Sequence, residues 1–444
     1  MEPKIGFWQR YAAMLKMMMI GILVLLLLIP SFMIRELIRE RKYNQQEVIN
    51  EVGSKWGREQ IISGPVISVP FVIGNPNQNN GIQYIHYLPE TVTIDGSLKA
   101  RYRNRNIFKV IGYQGDLIIK GQLTKPDLSA FGAKTQNGID PNGIIIQLPI
   151  ADLKGIKNRV ELIVNGQRYE MNPGLYVNDI STSGLWCKVN LAQIFGDKQH
   201  VDYEVHLSKL FGTQRLSFLP LGKETNVIIK SDWKSPKFDG NFLPEYRKIN
   251  DSGFNATWKI LHLNRNFPQS FIGSLEAVNT SEFGVSFIQP VDHYLMSERS
   301  AKYAILFISL TFLTFFFSEI TNRRKIHPIQ YILIGLALVL FFSLLLSLSE
   351  QIGFDKAYFV AAAAIILMVF MYAWSILKNL KLSIIIGGIL SIQYGFIYII
   401  LQLENMALLV GSIGLFGILG LVMYISRNID WYNTGSQTLD GKQE

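Results

Sequence analysis

The stretch IHPIQYILIGLALVLFFSLLLSLS, residues 326–349, contains no Asp, Glu, Lys or Arg and decides the fold class. A helix needs about 20 mostly apolar residues to cross a hydrocarbon core that is ~30 Å thick. Five further segments lack the same four residue types: 17–34, 303–318, 357–377, 382–403 and 405–426. The sequence therefore predicts six transmembrane α-helices, one N-terminal and five C-terminal.

A long polar region separates the first predicted span from the other five. Residues 35–301 hold 13 of the 16 prolines, and none follows Pro328. A region of this length can bury its own hydrophobic core. We therefore expect a domain inserted between helices one and two. The predicted order is a cytoplasmic N-terminus (1–16), the first span (17–34), the inserted domain (35–301), a five-helix bundle (302–426) and a tail (427–444).

The loops between the predicted spans indicate their orientation, because Lys and Arg near membrane ends are retained on the cytoplasmic side. Positive charge collects at 322–325, at 378–381 and at Arg427, whereas the alternate loops carry little. Both termini are therefore expected in the cytoplasm and 35–301 in the periplasm. The segment RELIRERK (35–42) opposes this orientation, although long translocated domains tolerate such charge. A cytoplasmic contact with lipid headgroups is predicted for Arg323, Arg324 and Lys325.

The first apolar segment is predicted to be an uncleaved signal anchor. Ile34 runs directly into Arg35 and Glu36, and no small-x-small cleavage pattern follows.

The inserted domain has the alternation of β-strands. Apolar and polar residues alternate in VDYEVHL (201–207) and in LIVNGQRYEM (162–171). The second segment contains Asn165–Gly166, a strong hairpin signal between alternating runs. Clusters of Gly, Pro, Asn and Asp recur between such runs. A β-rich, sandwich-like domain is therefore predicted, preceded by a helix over about 43–60.

One strand places four metal-ligating residue types at alternate positions: His200, Asp202, Glu204 and His206. On a strand all four point to one face, where imidazoles and carboxylates are ligands for zinc. The ends of a seven-residue strand lie about 20 Å apart, too far to share one ion. The pattern therefore favours a solvent-facing strand, and no metal or cofactor is predicted.

Arg101, Arg103 and Arg105 likewise share a strand face. They are suited to lipid phosphates or to an acidic partner, although a solvated face is the simpler interpretation. The single cysteine, Cys187, has no second thiol with which to form an internal disulfide and is predicted to be a small buried hydrophobe.

Motifs of catalysis and nucleic-acid binding are not apparent in the sequence. It contains no Gly-x-Ser-x-Gly, no His-Glu-x-x-His and no phosphate-binding glycine loop. The cationic residues that give the net charge of +9 are scattered. This distribution suits anionic headgroups and does not favour nucleic acid. The sequence gives no positive support for an enzyme.

Ser343, Ser347 and Glu350 form a candidate seam on one face of the third predicted helix, because they lie at i, i+4 and i+7. Ser349 points elsewhere. One interpretation is interhelical packing with Glu350 at the wet interface. The alternatives are a coupling site that docks against the inserted domain, and a transport site. Glu319 is expected at the opposite membrane end, beside Arg323 and Arg324, so the two carboxylates cannot share a proton.

The last predicted helix repeats glycine at every third position: Gly411, Gly414, Gly417 and Gly420. Small residues let helices approach closely, so this repeat is predicted to serve packing.

Longer motifs resemble one known family. They include GPVISVPF (64–71), SDWKSPKFDGNFLP (231–244), FGVSFIQPVDHY (283–294) and the stretch from Ile326 to Phe354. Together they resemble the CreD family of bacterial inner-membrane proteins over nearly the whole chain. The resemblance implies an inner-membrane location and a role in cell-envelope integrity. It supplies no catalytic residues.

These observations predict a non-enzymatic inner-membrane protein that supports envelope integrity or an envelope stress response. Its partners would be the bilayer and an envelope component or protein in the periplasm. One alternative is a subunit of a small-molecule or lipid transporter that uses the C-terminal bundle. Few polar residues line those helices, among them Gln393, Gln402 and Thr311. A periplasmic hydrolase is a third hypothesis and requires a clustered acid, base and nucleophile.

Overall fold

The computed structural model describes residues 12–73, 81–128, 143–288, 292–322, 326–403 and 406–427. The chain divides into two compact units. One consists of residues 46–290, and the other joins 1–45 to 291–444. The predicted boundaries at 35 and 301 separate the inserted domain from the membrane spans, and they stay predictions.

Helices dominate the second of these units, which we call the helical unit. The α-helices of the described residues are α1 (Ala12–Trp56), α2 (Leu191–Phe195), α3 (Glu276–Asn279), α4 (His293–Lys302), α5 (Ala304–Asn322), α6 (Pro328–Ile352), α7 (Phe354–Leu377), α8 (Leu380–Gln402) and α9 (Ala407–Ser426). Helix α6 begins sharply because Pro328 occupies its first turn, where no N–H is needed, and His327 caps it.

The first helix is longer than predicted. The span at 17–34 and the helix expected near 43–60 form one continuous helix of 45 residues, which ends at Trp56. The residues between them are mostly Arg, Glu, Leu, Ile and Lys, and most of these are good helix formers that give the chain no reason to stop. Pro30 lies inside the helix without ending it.

Several helices are apolar and long enough to cross a bilayer. Within the described residues, four helices are long enough and apolar enough to cross a membrane: α1, α6, α7 and α8. The pair α4 and α5 counts as a fifth span if the two helices, bent by 44° at their junction, are taken together. The apolar part of α9, Leu409–Tyr424, is shorter. The total of six spans therefore stays a prediction.

Residues 46–290 form a β-rich unit, whose described residues make three sheets. The strands are β1 (Gln60–Ile62), β2 (Val66–Ile73), β3 (Gly81–Tyr87), β4 (Thr91–Arg105), β5 (Phe108–Thr124), β6 (Ile144–Pro149), β7 (Glu161–Val164), β8 (Gln167–Glu170), β9 (Asn172–Pro173), β10 (Gly184–Val189), β11 (His200–Thr213), β12 (Arg215–Phe218), β13 (Glu224–Ser231), β14 (Pro236–Gly240), β15 (Tyr246–Asn250), β16 (Gly253–Leu261), β17 (Ser270–Ile272) and β18 (Phe283–Phe287). The sheet orders are β15-β16-β13-β4-β5-β11-β7-β8, β17-β3-β2-β6-β10-β9 and β1-β12-β18-β14.

The strongest strand signals in the sequence are confirmed. The segment 201–207 lies within β11, with Val201, Tyr203, Val205 and Leu207 buried. The hairpin β7–β8 turns at Asn165 and Gly166, whose φ angles are +49° and +81°. A turn with two positive φ angles matches the right-handed twist of the flanking strands, which is why Asn-Gly is favoured there.

All three sheets contribute to one hydrophobic core. Ile62 and Phe283 come from the four-stranded sheet, Ile146 from the six-stranded sheet and Trp258 from the eight-stranded sheet. The unit is therefore β-rich, as predicted, but it has three sheets where a sandwich has two. A second, smaller cluster lies around Leu88, Ile180 and Phe271.

Candidate functional site

One polar cluster lies where α4 meets α6 and α1, and we call it the Glu350 cluster: Arg39, Tyr294, Glu298 and Glu350. The Tyr294 hydroxyl donates to Glu350 Oε1 at 2.9 Å. Tyr294 is only 4% exposed. Asp292 caps the start of α4 by accepting from the Tyr294 and Leu295 backbone N–H groups. This cap fixes the first turn of α4 and thereby the direction of the Tyr294 side chain.

Arg39 ties α1 to the same helix α4. Its Nε lies 3.7 Å from Glu298 Oε1, and its Nη1 lies 2.7 Å from Glu36 Oε1. Part of the positive charge of the 35–42 segment, which opposed the predicted orientation, is therefore balanced by neighbouring carboxylates.

A second polar cluster contains Lys16, Glu319 and Tyr331, and we call it the Glu319 cluster. The Lys16 ammonium pairs with Glu319 and also donates to the Ile326 carbonyl at 3.1 Å. The Tyr331 hydroxyl donates to Glu319 at 3.3 Å. Glu319 is 9% exposed and Tyr331 fully buried, so the carboxylate depends on these two donors.

The two clusters lie at opposite ends of α6. Tyr331 and Glu350 are 19 residues apart on that helix, which corresponds to a rise of about 28 Å. This separation agrees with the expectation that Glu319 and Glu350 cannot share a proton. The cation that pairs with Glu319 among the described residues is Lys16. Arg323, Arg324 and Lys325, predicted to contact lipid headgroups, lie outside the described residues.

The serines of the proposed seam do not form one buried stripe. Ser343 is half-buried and Ser347 is exposed at the surface of the helical unit. Ser349, which was expected to point elsewhere, is the buried one, and its hydroxyl donates to the Leu346 carbonyl at 2.8 Å. Among the described residues, Glu350 is the seam residue with an interhelical hydrogen bond, because the helix turns Ser347 outward whereas the carboxylate reaches α4.

The polar residues considered for a transport path lie apart from the apolar groove found between the described parts of α6 and α7. Gln393 is 5% exposed, and within the described residues its side-chain amide has no hydrogen-bond partner. Gln402 donates to Asp355 at 2.9 Å near the end of α8. A groove of about 480 Å³ between α6 and α7 is lined mainly by apolar residues and includes neither glutamine.

The candidate metal face on β11 is a solvated strand face. His200, Asp202 and His206 are exposed and Glu204 is half-buried. His206 Nε2 pairs with Glu204 Oε1 at 2.9 Å, and Asp202 accepts from Gln122 at 3.0 Å. Across the described residues no group of three or more His, Cys, Asp or Glu side chains is arranged to hold a metal ion.

The arginine face of β4 packs against the end of α1 within the β-rich unit. The Arg103 guanidinium lies 3.1 Å from the centre of the Trp56 ring, and Arg105 Nη2 lies 3.3 Å from Glu51 Oε1. A hydrogen bond from Lys55, and secondarily the charges of Lys55 and Arg105, hold the pKa of the Glu51 carboxyl below its ordinary value. Two of the three arginines therefore serve contacts within the chain.

A polar network that the sequence did not reveal crosses the six-stranded sheet. His86 Nε2 lies 2.9 Å from Asp179 Oδ2, and His86 Nδ1 lies 2.9 Å from Ser68 Oγ. Gln147 Nε2 donates to Ser68 Oγ at 3.0 Å, and Gln147 Oε1 accepts from the Val177 backbone N–H. The residues lie on three strands and one loop, so no spacing in the sequence joins them.

The direction of each hydrogen bond in this network follows from the charge of His86. Burial lowers the pKa of His86, although the hydrogen bond and charge of Asp179 oppose this effect. A neutral ring that donates from Nε2 to the carboxylate accepts at Nδ1, so the Ser68 hydroxyl donates to it. The Ser68 hydroxyl then accepts from Gln147 and donates to His86, and both ring nitrogens of His86 have a partner.

The Ser68–His86–Asp179 arrangement contains the three residue types of a hydrolytic triad, but it is closed. Ser68 of β2 and His86 of β3 are completely buried. A nucleophilic serine must reach a substrate, and its base must face the hydroxyl that attacks. Here the serine oxygen contacts only protein groups, and the network joins the sheet to the segment that contains Val177 and Asp179.

Cys187 lies in β10 and is 3% exposed. Burial raises the pKa of its thiol to about 12, so the thiol stays protonated and unreactive near neutral pH. This outcome confirms its prediction as a small buried hydrophobe.

Comparison with known proteins agrees with this architecture. The family model described as "Inner membrane protein CreD" matches residues 12–432. A relative of that name from Escherichia coli (strain K12) is 31% identical over 418 residues, which cover 92% of this chain and 91% of the relative. Apolar helices in an inner-membrane family contact the lipid bilayer. Since the family match extends over nearly the whole chain, this protein belongs to the CreD family of inner membrane proteins.

Proposed function

We propose that this protein supports the integrity of the cell envelope from the inner membrane, with its β-rich unit in the periplasm binding an envelope component or protein. Membership in an inner-membrane family supports the location. The distribution of Lys and Arg in the loops supports the orientation. The family bears the name of a membrane protein and not that of an enzyme.

The observation that carries the proposal is the Glu350 cluster. Along the chain, α1 precedes the β-rich unit and α4 follows it. Arg39 links α1 to α4, and Tyr294 links α4 to α6. The two connections through which the chain enters and leaves the β-rich unit are thus held together and tied to a membrane-spanning helix. A conformational change of the β-rich unit that displaced α1 or α4 would therefore strain the Arg39–Glu298 and Tyr294–Glu350 contacts.

The proposal predicts that full-length protein lacking the Tyr294–Glu350 bond supports the envelope less well. The gene is deleted in the native host, and sensitivity to detergent and to membrane-directed antimicrobials is scored after rescue with Tyr294→Phe or Glu350→Gln. We expect reduced rescue at equal protein level, because the bond that joins α4 to α6 is lost or weakened.

A matched control is available in the same unit. The Tyr398 hydroxyl donates to Asp355 at 3.1 Å and joins α8 to α7 without involving α4. Tyr398→Phe therefore removes a similar tyrosine–carboxylate bond outside the cluster, and full rescue is expected. Full rescue by Tyr294→Phe and Glu350→Gln, or no envelope defect on deletion, would contradict the proposal.

A further inference from the structure

A row of polar side chains crosses the exposed face of the eight-stranded sheet. The strand register sets Lys248 of β15 opposite Asn255 of β16, Asn255 opposite Lys230 of β13, and Lys230 opposite Ser97 of β4. Directly opposed residues share a face, and neighbouring strands lie about 4.8 Å apart. Lys99 stands two residues beyond Ser97 and therefore faces the same side. A cleft of about 380 Å³ opens over this row.

The cleft carries an excess of positive charge. Lys99, Lys230 and Lys248 all line it, and none of them has an ion-pair partner among the described residues. Asp232 is the one carboxylate in the lining, and its Oδ1 already accepts from the Ala100 backbone N–H at 2.7 Å. Ammonium groups held around one small volume repel each other, and an anion between them removes that repulsion.

Paired lysines elsewhere on this sheet show that the excess is local. Lys259 lies 3.3 Å from Glu224, and Lys223 lies 2.8 Å from Glu90. Carboxylates are therefore placed beside neighbouring lysines of the same sheet region, whereas the three cleft lysines are left for another partner.

The rest of the lining supplies hydrogen-bond donors. Hydroxyl and amide side chains surround the lysines: Ser97, Ser231, Asn250, Ser252 and Asn255, of which Ser252 donates its hydroxyl to Asn250 Oδ1. The side-chain oxygen of Asn255 is shielded from solvent and has no partner among the described residues. A half-turn of this amide places its N–H donors in the same position, as an anion requires. The cleft volume lies within the range of about 300–1,000 Å³ that is usual for small-ligand sites.

We infer that this lysine cleft binds a phosphate-bearing anion. Lysine binds phosphate as a flexible point charge, and the hydroxyl and amide donors complete the contacts to the phosphate oxygens. The phosphate belongs either to a soluble compound or to a lipid headgroup, which present the same chemistry to the cleft. The cleft would provide the ligand contact of the proposed function and rests on that proposal for its biological role, but its binding is measured independently.

The test uses the full-length protein in an uncharged detergent at low ionic strength. Binding of pyrophosphate is measured by calorimetric titration. For the lipid probe, the protein is reconstituted into phosphatidylcholine nanodiscs. Its co-flotation with phosphatidylcholine vesicles is then measured with and without phosphatidylglycerol in the vesicles. The variant is Lys230→Gln combined with Lys248→Gln. The control combines Lys120→Gln with Lys259→Gln, which removes equal charge from the same sheet face outside the cleft.

We expect the cleft variant to bind about tenfold more weakly or worse, since it loses two charge contacts, and the control to change less than about twofold. Loss of pyrophosphate binding identifies a soluble phosphate compound as the source. Loss of vesicle binding alone identifies a lipid headgroup. The inference is overturned if neither probe binds the wild type, or if the control loses as much as the cleft variant.

The rescue assay separates this inference from the proposed function. A cleft variant that no longer binds phosphate but still restores the envelope overturns the biological role of the cleft and leaves the proposal based on the Glu350 cluster standing. Normal rescue by Tyr294→Phe and Glu350→Gln, with phosphate binding intact, contradicts only the proposed function.

Discussion

Single residues in this protein take their roles from partners that are distant in sequence. Lys16 and Glu319 are separated by 303 positions, and Ser68, His86 and Asp179 come from separate segments. The sequence shows which side chains are polar, but contacts of this kind depend on how the helices and strands pack. Glu350 was selected from the sequence because it interrupts an apolar segment. Tyr294 carries no such signal, since tyrosine is ordinary near a membrane surface.

His86 makes the stability of the β-rich unit sensitive to pH. Its pKa is lowered in the folded state, chiefly by burial. Below the ordinary histidine pKa of about 6.5 the unfolded chain therefore binds more protons than the folded chain, and stability falls as the pH decreases. Above that pH the ring is neutral in both states and contributes no slope. We expect the urea midpoint of full-length protein in detergent, followed by tryptophan fluorescence, to fall between pH 7.5 and pH 5.5.

Replacing the ring isolates this contribution. His86→Gln removes the titrating group and disturbs a buried hydrogen-bond network, so we expect about 1–3 kcal/mol lower stability at pH 7.5 and a shallower loss on acidification. His206→Gln, which removes a histidine from the exposed face of β11, is the control. A slope that is equally steep in the His86 variant would show that other groups govern the acid response.

At the scale of elements, the sequence predicted what local periodicity and turn chemistry determine. The hairpin at 161–170 followed from Asn165–Gly166, and β11 from its alternation. The length of α1 was missed because apolarity marks the part of a helix inside the bilayer, whereas the helix continues as long as its residues favour it. Three sheets formed where a sandwich was predicted, since the pairing of short strands depends on contacts far along the chain.

The glycines of α9 are regularly spaced, but they differ in the space available around them. A Cβ added at Gly414 would overlap the Phe396 ring of α8, whereas one at Gly417 meets open space. Gly414→Ala should therefore force α9 away from α8 and lower the melting temperature of the protein in detergent. Gly417→Ala should leave it unchanged or raise it, because alanine favours a helix over glycine by about 1 kcal/mol. Equal effects of the two changes would mean that α9 does not pack closely on α8 through Gly414.

The whole molecule combines two units that differ in composition and in secondary structure. Thirteen prolines and the sheets belong to the region that contains the β-rich unit, and long apolar helices to the other. Family membership places the chain in the inner membrane, and the side on which the β-rich unit lies is a prediction from loop charges. That prediction is open to a direct test, because the chain has a single cysteine, buried and with a pKa of about 12.

An introduced cysteine therefore reports the orientation, because the buried Cys187 does not react with the reagent. Leu263, 79% exposed in the β-rich unit, and Lys381, exposed near the start of α8, are each changed to cysteine. A membrane-impermeant maleimide is added to spheroplasts, in which the periplasmic side of the inner membrane is accessible. We expect Leu263→Cys to react at once and Lys381→Cys only after permeabilisation, because the distribution of Lys and Arg predicts that the loop before α8 lies in the cytoplasm. The opposite pattern would place the β-rich unit in the cytoplasm, and the proposed contact with an envelope component would then have no access to its partner.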